Sequence, residues 1–125
     1  MSANILLVTA MDDTFRKLLL ESQGYRVEAA AAAAASTLVE REHFQLALLA
    51  TKGDAKETLE LCVKLKRQDP RMRVAIIAQR TEYVPASECV DAVIREQHSP
   101  GRFLAAVKKL VDGEPKELFM VTEGE

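Results

Sequence analysis

Short runs of branched and aliphatic residues recur along this chain, and helical patterns fill the gaps between them. Asn4–Thr9 (NILLVT), Leu46–Ala50 (LALLA), Val74–Ala78 (VAIIA) and the weaker Ala92–Ile94 (AVI) are largely apolar without alternation. Strands covered on both faces have this texture, because neither side meets water. Tyr25–Ala29 supplies a fifth, less apolar strand signal. Five strands separated by helices imply right-handed crossovers and a parallel sheet with helices on both faces. The expected fold is α/β, a three-layer α/β/α sandwich built on a five-stranded parallel sheet.

The helices are read from their ends and their period. Asp12, Asp13 and Thr14 offer N-caps for a helix to about Gln23, and Gly24 supplies its stop. Phe15, Leu18, Leu19 and Ser22 share one face of it. Seven alanines at 29–35 lead into a second helix that continues to Glu40. Alanine is the best helix former and lets a helix sit close to a sheet, so the run is expected to pack in the core. A third helix spans about Asp54 to Gln68 and stops at Asp69-Pro70. Leu59, Cys62, Val63 and Lys66 share one of its faces. Arg80–Asp91 is broken by Pro85 and has room only for a brief helix. Ser99-Pro100 sets an N-cap and an N1 proline for the last helix, which turns Phe103, Val107, Leu110 and Val111 inward and ends at Asp112-Gly113. One domain over 1–113 is expected, followed by a tail, 114–125. Apart from Leu118–Val121 the tail is charged. Two readings stay open for it: disorder, or docking of those four apolar residues on the body or on a partner.

Composition narrows the function classes. A length of 125 residues, 48% hydrophobic and 29% charged, suits one ordinary globule. A net charge of −2 gives no basic field for nucleic acid or anionic membrane, and 5% aromatics leave no base-stacking platform. No apolar stretch approaches the roughly 18–20 residues that span a bilayer. The chain reads straight into a strand with no basic leader segment, so a cytoplasmic location is expected. His43 and His98 have no ligand spacing with Cys62 or Cys89, so no metal and no cofactor are expected. The two cysteines lack a C-x-x-C spacing and read as buried, inert thiols rather than a structural disulfide. Lys52-Gly53 lacks the phosphate-loop pattern, and no G-x-S-x-G elbow is present. The basic residues Lys64, Lys66, Arg67, Arg71 and Arg73 read as a solvated edge.

In open α/β sheets, ligands and catalysts sit beyond the carboxyl ends of the strands. Here those ends are Thr9, Ala50, Ala78 and Arg95: a hydroxyl, two methyls and a guanidinium. No carboxylate stands among them, which argues against hydrolysis, phosphoryl transfer and metal chemistry at that edge.

The opening ILLVTAMDDTFRKLLLESQGYRVEAA resembles the first strand, first helix, helix-ending glycine and second strand of the response regulator receiver domains of two-component systems. HFQLALLA is similar to that family's third strand, LELCVKLKRQDPRMRVAIIA to its third helix and fourth strand, and AVIREQHSPGRFLAAVKKLV to its fifth strand and last helix. The resemblance covers about residues 3–112. It implies a flavodoxin-like strand order, 2-1-3-4-5, with the family's fourth helix shortened by about five residues of missing connection. It also implies where the family's machinery would stand. The phosphoacceptor aspartate falls on Ala50, and the Mg²⁺-holding acidic pair on Thr9 and Ala10. The switch hydroxyl falls on Ala78, the phosphate-pairing lysine on Arg95, the switch aromatic on Ala92, and the proline after the lysine on Glu96. Only the cation is retained in kind, so the resemblance implies a degenerate receiver.

Asp12, Asp13 and Asp54 lie just past the first and third strands. As helix caps they satisfy N–H groups and the macrodipole; as a displaced acidic cluster they would restore phosphorylation. Arg95 has two readings as well: an anion ligand beside a helix N-terminus, or one half of a surface ion pair. The expected function is signalling by protein–protein interaction, without enzymatic activity and without aspartyl phosphate. The expected partner is a kinase, an effector or a second copy of the chain, contacted through Tyr83, Val84, Val90, Ala92 and Phe103. The alternatives are an active receiver phosphorylated on a displaced aspartate such as Asp54, and a small-ligand binder of the flavodoxin type.

Overall fold

The computed structural model describes residues 3–9, 13–50, 55–78, 88–95, 99–112 and 119–121. The elements run β1 (Asn4–Thr9), α1 (Thr14–Glu21), β2 (Arg26–Ala30), α2 (Ala32–Arg41), β3 (Leu46–Ala50), α3 (Ala55–Gln68), β4 (Arg73–Ala78), β5 (Ala92–Arg95), α4 (Pro100–Val111) and β6 (Phe119–Val121). Their sheet order is β2-β1-β3-β4-β5-β6, every pair parallel. The first five strands have the flavodoxin-like order 2-1-3-4-5. The shortened helix expected between β4 and β5 falls on residues 79–87, outside the described residues.

Apolar burial on both faces explains the strands. β3 and β4 lie at the centre, and all of β3 is buried. Alternate residues feed two cores. Ile5, Leu7, Leu46, Leu48, Ile77 and Ile94 pack beneath α1 and α4, against Leu20, Phe103, Val107 and Leu110. Leu6, Val8, Leu49, Val74, Ile76 and Val93 pack beneath α2 and α3, against Ala35, Val39, Cys62 and Leu65.

Helix ends follow their signals where the chemistry is local. Ser99 caps α4, its Oγ accepting from the Arg102 N–H at 3.3 Å, with Pro100 in the first turn. Gly24 takes φ +90° after α1, a conformation that L side chains rarely adopt. Asp13 sits at the N-cap position of α1, but its side chain makes no cap hydrogen bond. It pairs instead with the Arg16 guanidinium, so the capping role expected of it is replaced by an ion pair.

Three further expectations change. Ala31–Ala34 are exposed; of the run, Ala35 is buried in the core and Ala30 packs partly against it. The alanine run leaves β2, an edge strand, before the helix turns inward, so most of it has nothing to pack against. The α1 face of Phe15, Leu18 and Ser22 points outward, with Phe15 66% and Leu18 59% exposed, and the helix docks through Leu19 and Leu20. Lys66, read as part of a solvated edge, is largely covered and reaches the Asp91 carboxylate at 2.8 Å. The tail does dock in part: Phe119, Met120 and Val121 pair with Ala92, Val93 and Ile94, adding a strand to the edge of β5.

Candidate functional site

Strand register brings the carboxyl ends together. Thr9 lies beside Ala50 on the adjacent strand, and Ala78 beside Arg95. Neighbouring strands are about 4.8 Å apart, so these four positions line one short stretch of the sheet's upper edge. Ala50 is buried with the α1–α4 core and Ala78 with the α2–α3 core. Thr9 and Arg95 are half-buried. Two methyl groups therefore occupy the centre of the edge, with the Thr9 hydroxyl on one flank and the Arg95 guanidinium on the other. Ala10, Asp12 and Asp54 lie outside the described residues, as do Lys52, Gly53, Glu96 and His98.

Beside Arg95 a groove of about 260 Å³ opens between α1 and α4. Ile77, Ile94 and Phe103 line it together with the ion-paired Asp13 and Arg16, and Phe15 and Leu19 contribute from α1. Its volume is below the roughly 300–1,000 Å³ of pockets that enclose small ligands. A second depression of about 350 Å³ includes Asn4, Tyr25 and Phe44. It lies at the opposite, amino-terminal end of the strands, away from the edge where this architecture binds ligands. Among the described residues no group of three or more His, Cys, Asp or Glu side chains is placed to hold a metal ion. His43 faces Asp69, Nδ1 to carboxylate oxygen at 2.8 Å, tying the lead-in of β3 to the end of α3.

The surface expected from sequence divides. Ala92 and Phe103 are core residues, 3% and 6% exposed, because β5 is covered by α4 and Phe103 is on the buried face of that helix. They present no free side chain to a partner. Val90 is half-buried against the α2–α3 core. Tyr83 and Val84 lie outside the described residues. Among the described residues the most exposed large apolar side chains are Phe15 and Leu18 on α1, with Val63 on α3 less so.

Two clusters were not legible beforehand. Asp91 is almost fully covered; its carboxylate accepts from the Val74 N–H at 2.8 Å and from the Lys66 ammonium at 2.8 Å. The Cys62 thiol on α3 donates to the Cys89 carbonyl oxygen at 2.8 Å. Burial is the main cause that pushes the Cys62 thiol well above its ordinary range, aided by hydrogen bonding to Cys89, while Lys66 opposes the shift. Lys66 with Asp91 and Cys62 with Cys89 each join residues more than twenty positions apart, and neither spacing is a motif.

A CheY-like response regulator receiver domain protein from Methanospirillum hungatei JF-1 is 30% identical, with a TM-score of 0.73, over 90% of this chain and 96% of that one. The chain belongs to the response regulator receiver-domain family. A response regulator from Thermotoga maritima shares the fold at 22% identity and TM-score 0.76, over 90% of this chain and 99% of its own. A LuxR family DNA-binding response regulator from Silicibacter pomeroyi does so at 24% and 0.68, over 98% and 99%. No protein-family model matches the sequence, and no curated protein matches it. Receiver domains are signalling modules of two-component systems and are generally not enzymes. No helix among the described residues is long and apolar enough to cross a membrane.

Proposed function

We propose that this receiver domain is phosphorylation-independent, an atypical response regulator that acts by binding another signalling protein. Ala50 carries the reading. It ends β3, the position where the family's phosphoacceptor stands, and a methyl group has no lone pair to attack phosphorus. The neighbouring end of β1 offers the Thr9 hydroxyl where a metal-binding carboxylate is required, and Mg²⁺ is held by hard, usually anionic oxygen ligands. Ala78 supplies no hydroxyl to sense a phosphoryl group. A module of this kind is either constitutive or toggled by a partner or ligand that binds two states unequally.

Partner contact is assigned to the outward face of α1. Phe15 and Leu18 stand one helical turn apart and are the most exposed large apolar side chains of the described residues. The adjoining groove extends that apolar area towards α4. The partner is a kinase or effector of the same pathway, in the cytoplasm, and neither nucleic acid nor membrane is involved.

The test is an NMR titration of isotope-labelled protein with Mg²⁺ and then with beryllofluoride, which mimics aspartyl phosphate. A flat titration is expected. Shifts centred on Asp12, Asp13 or Asp54, and lost in Asp54→Asn, would instead establish a displaced acceptor and restore phosphorylation control.

A further inference from the structure

Cys62 and Cys89 are 27 residues apart in sequence, yet the fold sets them against each other. Cys62 comes from the inner face of α3 and is fully buried; Cys89 lies in the turn before β5 and is half-buried. The Cys62 sulfur is 2.8 Å from the Cys89 carbonyl oxygen, and hydrogen bonding and charge at Cys89 both act on the Cys62 thiol. That contact sets the Cys62 sulfur against the Cys89 backbone, so a bridge needs the Cys89 side chain to turn toward Cys62 and the turn before β5 to adjust around it. Both cysteines are reduced in the structure.

We propose that Cys62 and Cys89 are a redox modification site, closing to an intramolecular disulfide that ties α3 to the segment entering β5. The oxidant is a low-molecular-weight disulfide. Cys89, the more accessible thiol, loses its proton and attacks one sulfur of that disulfide, forming a mixed disulfide and expelling one small thiolate. Cys62 then loses its proton and attacks the Cys89 sulfur, expelling the second small thiolate. Two electrons pass from the cysteine pair to the oxidant, and the two protons end on the two small thiols. The ammonium of Lys66, one helical turn from Cys62 and paired with Asp91, favours the Cys62 thiolate, whereas burial and the Asp91 charge oppose it. Closure is therefore the slow step, and attack at Cys89 the fast one. Disulfides of this kind in reducing compartments are transient and sense redox state.

The experiment incubates the folded full chain in buffers of oxidised and reduced glutathione, quenches with an alkylating agent, and reads intact mass and tryptic peptides. The expected result is a monomer lighter by two hydrogens and closed to alkylation, with peptide 57–64 joined to peptide 81–95. The oxidised form is expected to melt several degrees higher than the reduced form, and reductant reverses the change. Cys89→Ser, whose side chain is half-buried and retains a small polar group, keeps the fold by circular dichroism and loses both effects. A stable glutathione adduct on Cys89 alone, a dimer linked between chains, or no reaction of the folded protein would each overturn the proposal.

Discussion

The Asp91 carboxylate sits where its removal should have a large cost. Its side chain is 3% exposed, and one oxygen receives both the Val74 N–H and the Lys66 ammonium at 2.8 Å. The Asp91 N–H returns a bond to the Val74 carbonyl at 2.8 Å, so the residue clamps the start of β4 to the start of β5 while holding α3. Asp91→Ala leaves the buried Val74 N–H without an acceptor, at about 1–3 kcal/mol. It also strands an ammonium that is 19% exposed and reaches some water, adding about 1 kcal/mol. The sum is about 3 kcal/mol. Asp91→Asn keeps an oxygen for Val74 and loses only the charge pairing, for about 1 kcal/mol. Lys66→Met strands the carboxylate instead, at about 3 kcal/mol, near the lower end for breaking a buried pair. Urea unfolding reads all three: with a slope of about 1.5 kcal/mol/M, the alanine variant's midpoint falls by about 2 M. The double variant Lys66→Met with Asp91→Asn should recover more than half of the single Lys66→Met loss. An Asp91→Ala protein within about 0.5 kcal/mol of the parent, or an asparagine variant as damaged as the alanine one, would falsify the clamp.

Other outcomes follow from the same structure. Gly24→Ala costs about 1–2 kcal/mol in urea unfolding, because φ is +90° and no neighbour lies within 4 Å of an added Cβ, so the penalty is purely backbone. Phe15→Asp and Leu18→Asp change stability by less than about 0.5 kcal/mol, since both side chains are exposed, but abolish binding to the cognate partner in calorimetry. Stability falls with rising pH above about pH 9, where the unfolded Cys62 thiol ionises and the buried one does not. There the unfolded state binds fewer protons, so the slope is negative, at most about 1.4 kcal/mol per pH unit from this group. Urea midpoints from pH 7 to 10 measure it, and Cys62→Ala should flatten the decline; an unchanged slope in that variant refutes the assignment.

The parts of this fold that a reader can extract from sequence are those in which a residue's own neighbours decide its state. LALLA is a buried strand because no residue in it tolerates water, and Ser99-Pro100 starts a helix through a bond three residues long. The methyl groups at Ala50 and Ala78 were likewise visible, since register needs only the strands and their order. What failed needed knowledge of direction or distance. Periodicity finds the Phe15–Leu18 stripe but cannot say that α1 turns it outward and docks through Leu19 and Leu20. Helix propensity explains why the alanines form a helix but not that the sheet edge leaves Ala31–Ala34 uncovered. Asp91 reads as a loop acid until Lys66 and Val74 arrive from distant elements. The tail's four apolar residues left disorder and docking equally open, because nothing in their sequence indicates that three of them extend the sheet.

The two long-range ties converge on one short segment, and this bears on how the domain works. Lys66 with Asp91 and Cys62 with Cys89 both fasten α3 to the turn before β5, on the sheet face that carries α2 and α3. A switch that moves this segment from 1:99 to 99:1 needs about 5.5 kcal/mol of differential binding. On the proposed phosphorylation-independent reading, aspartyl phosphate does not supply it, and the clamp alone opposes the move by about 3 kcal/mol. A disulfide closing a loop of this length adds about 3–4 kcal/mol on the chain-entropy account, so oxidation locks the segment further rather than releasing it. The exposed face of α1 lies across the sheet, over the other core. Partner binding through Phe15 and Leu18 should therefore be the same for reduced and oxidised protein, and any signal carried by the cysteine pair must be read at α3 and β5. Calorimetry on the two redox forms decides this: equal affinities keep the two surfaces independent, and a change of tenfold or more would mean that the sheet couples them.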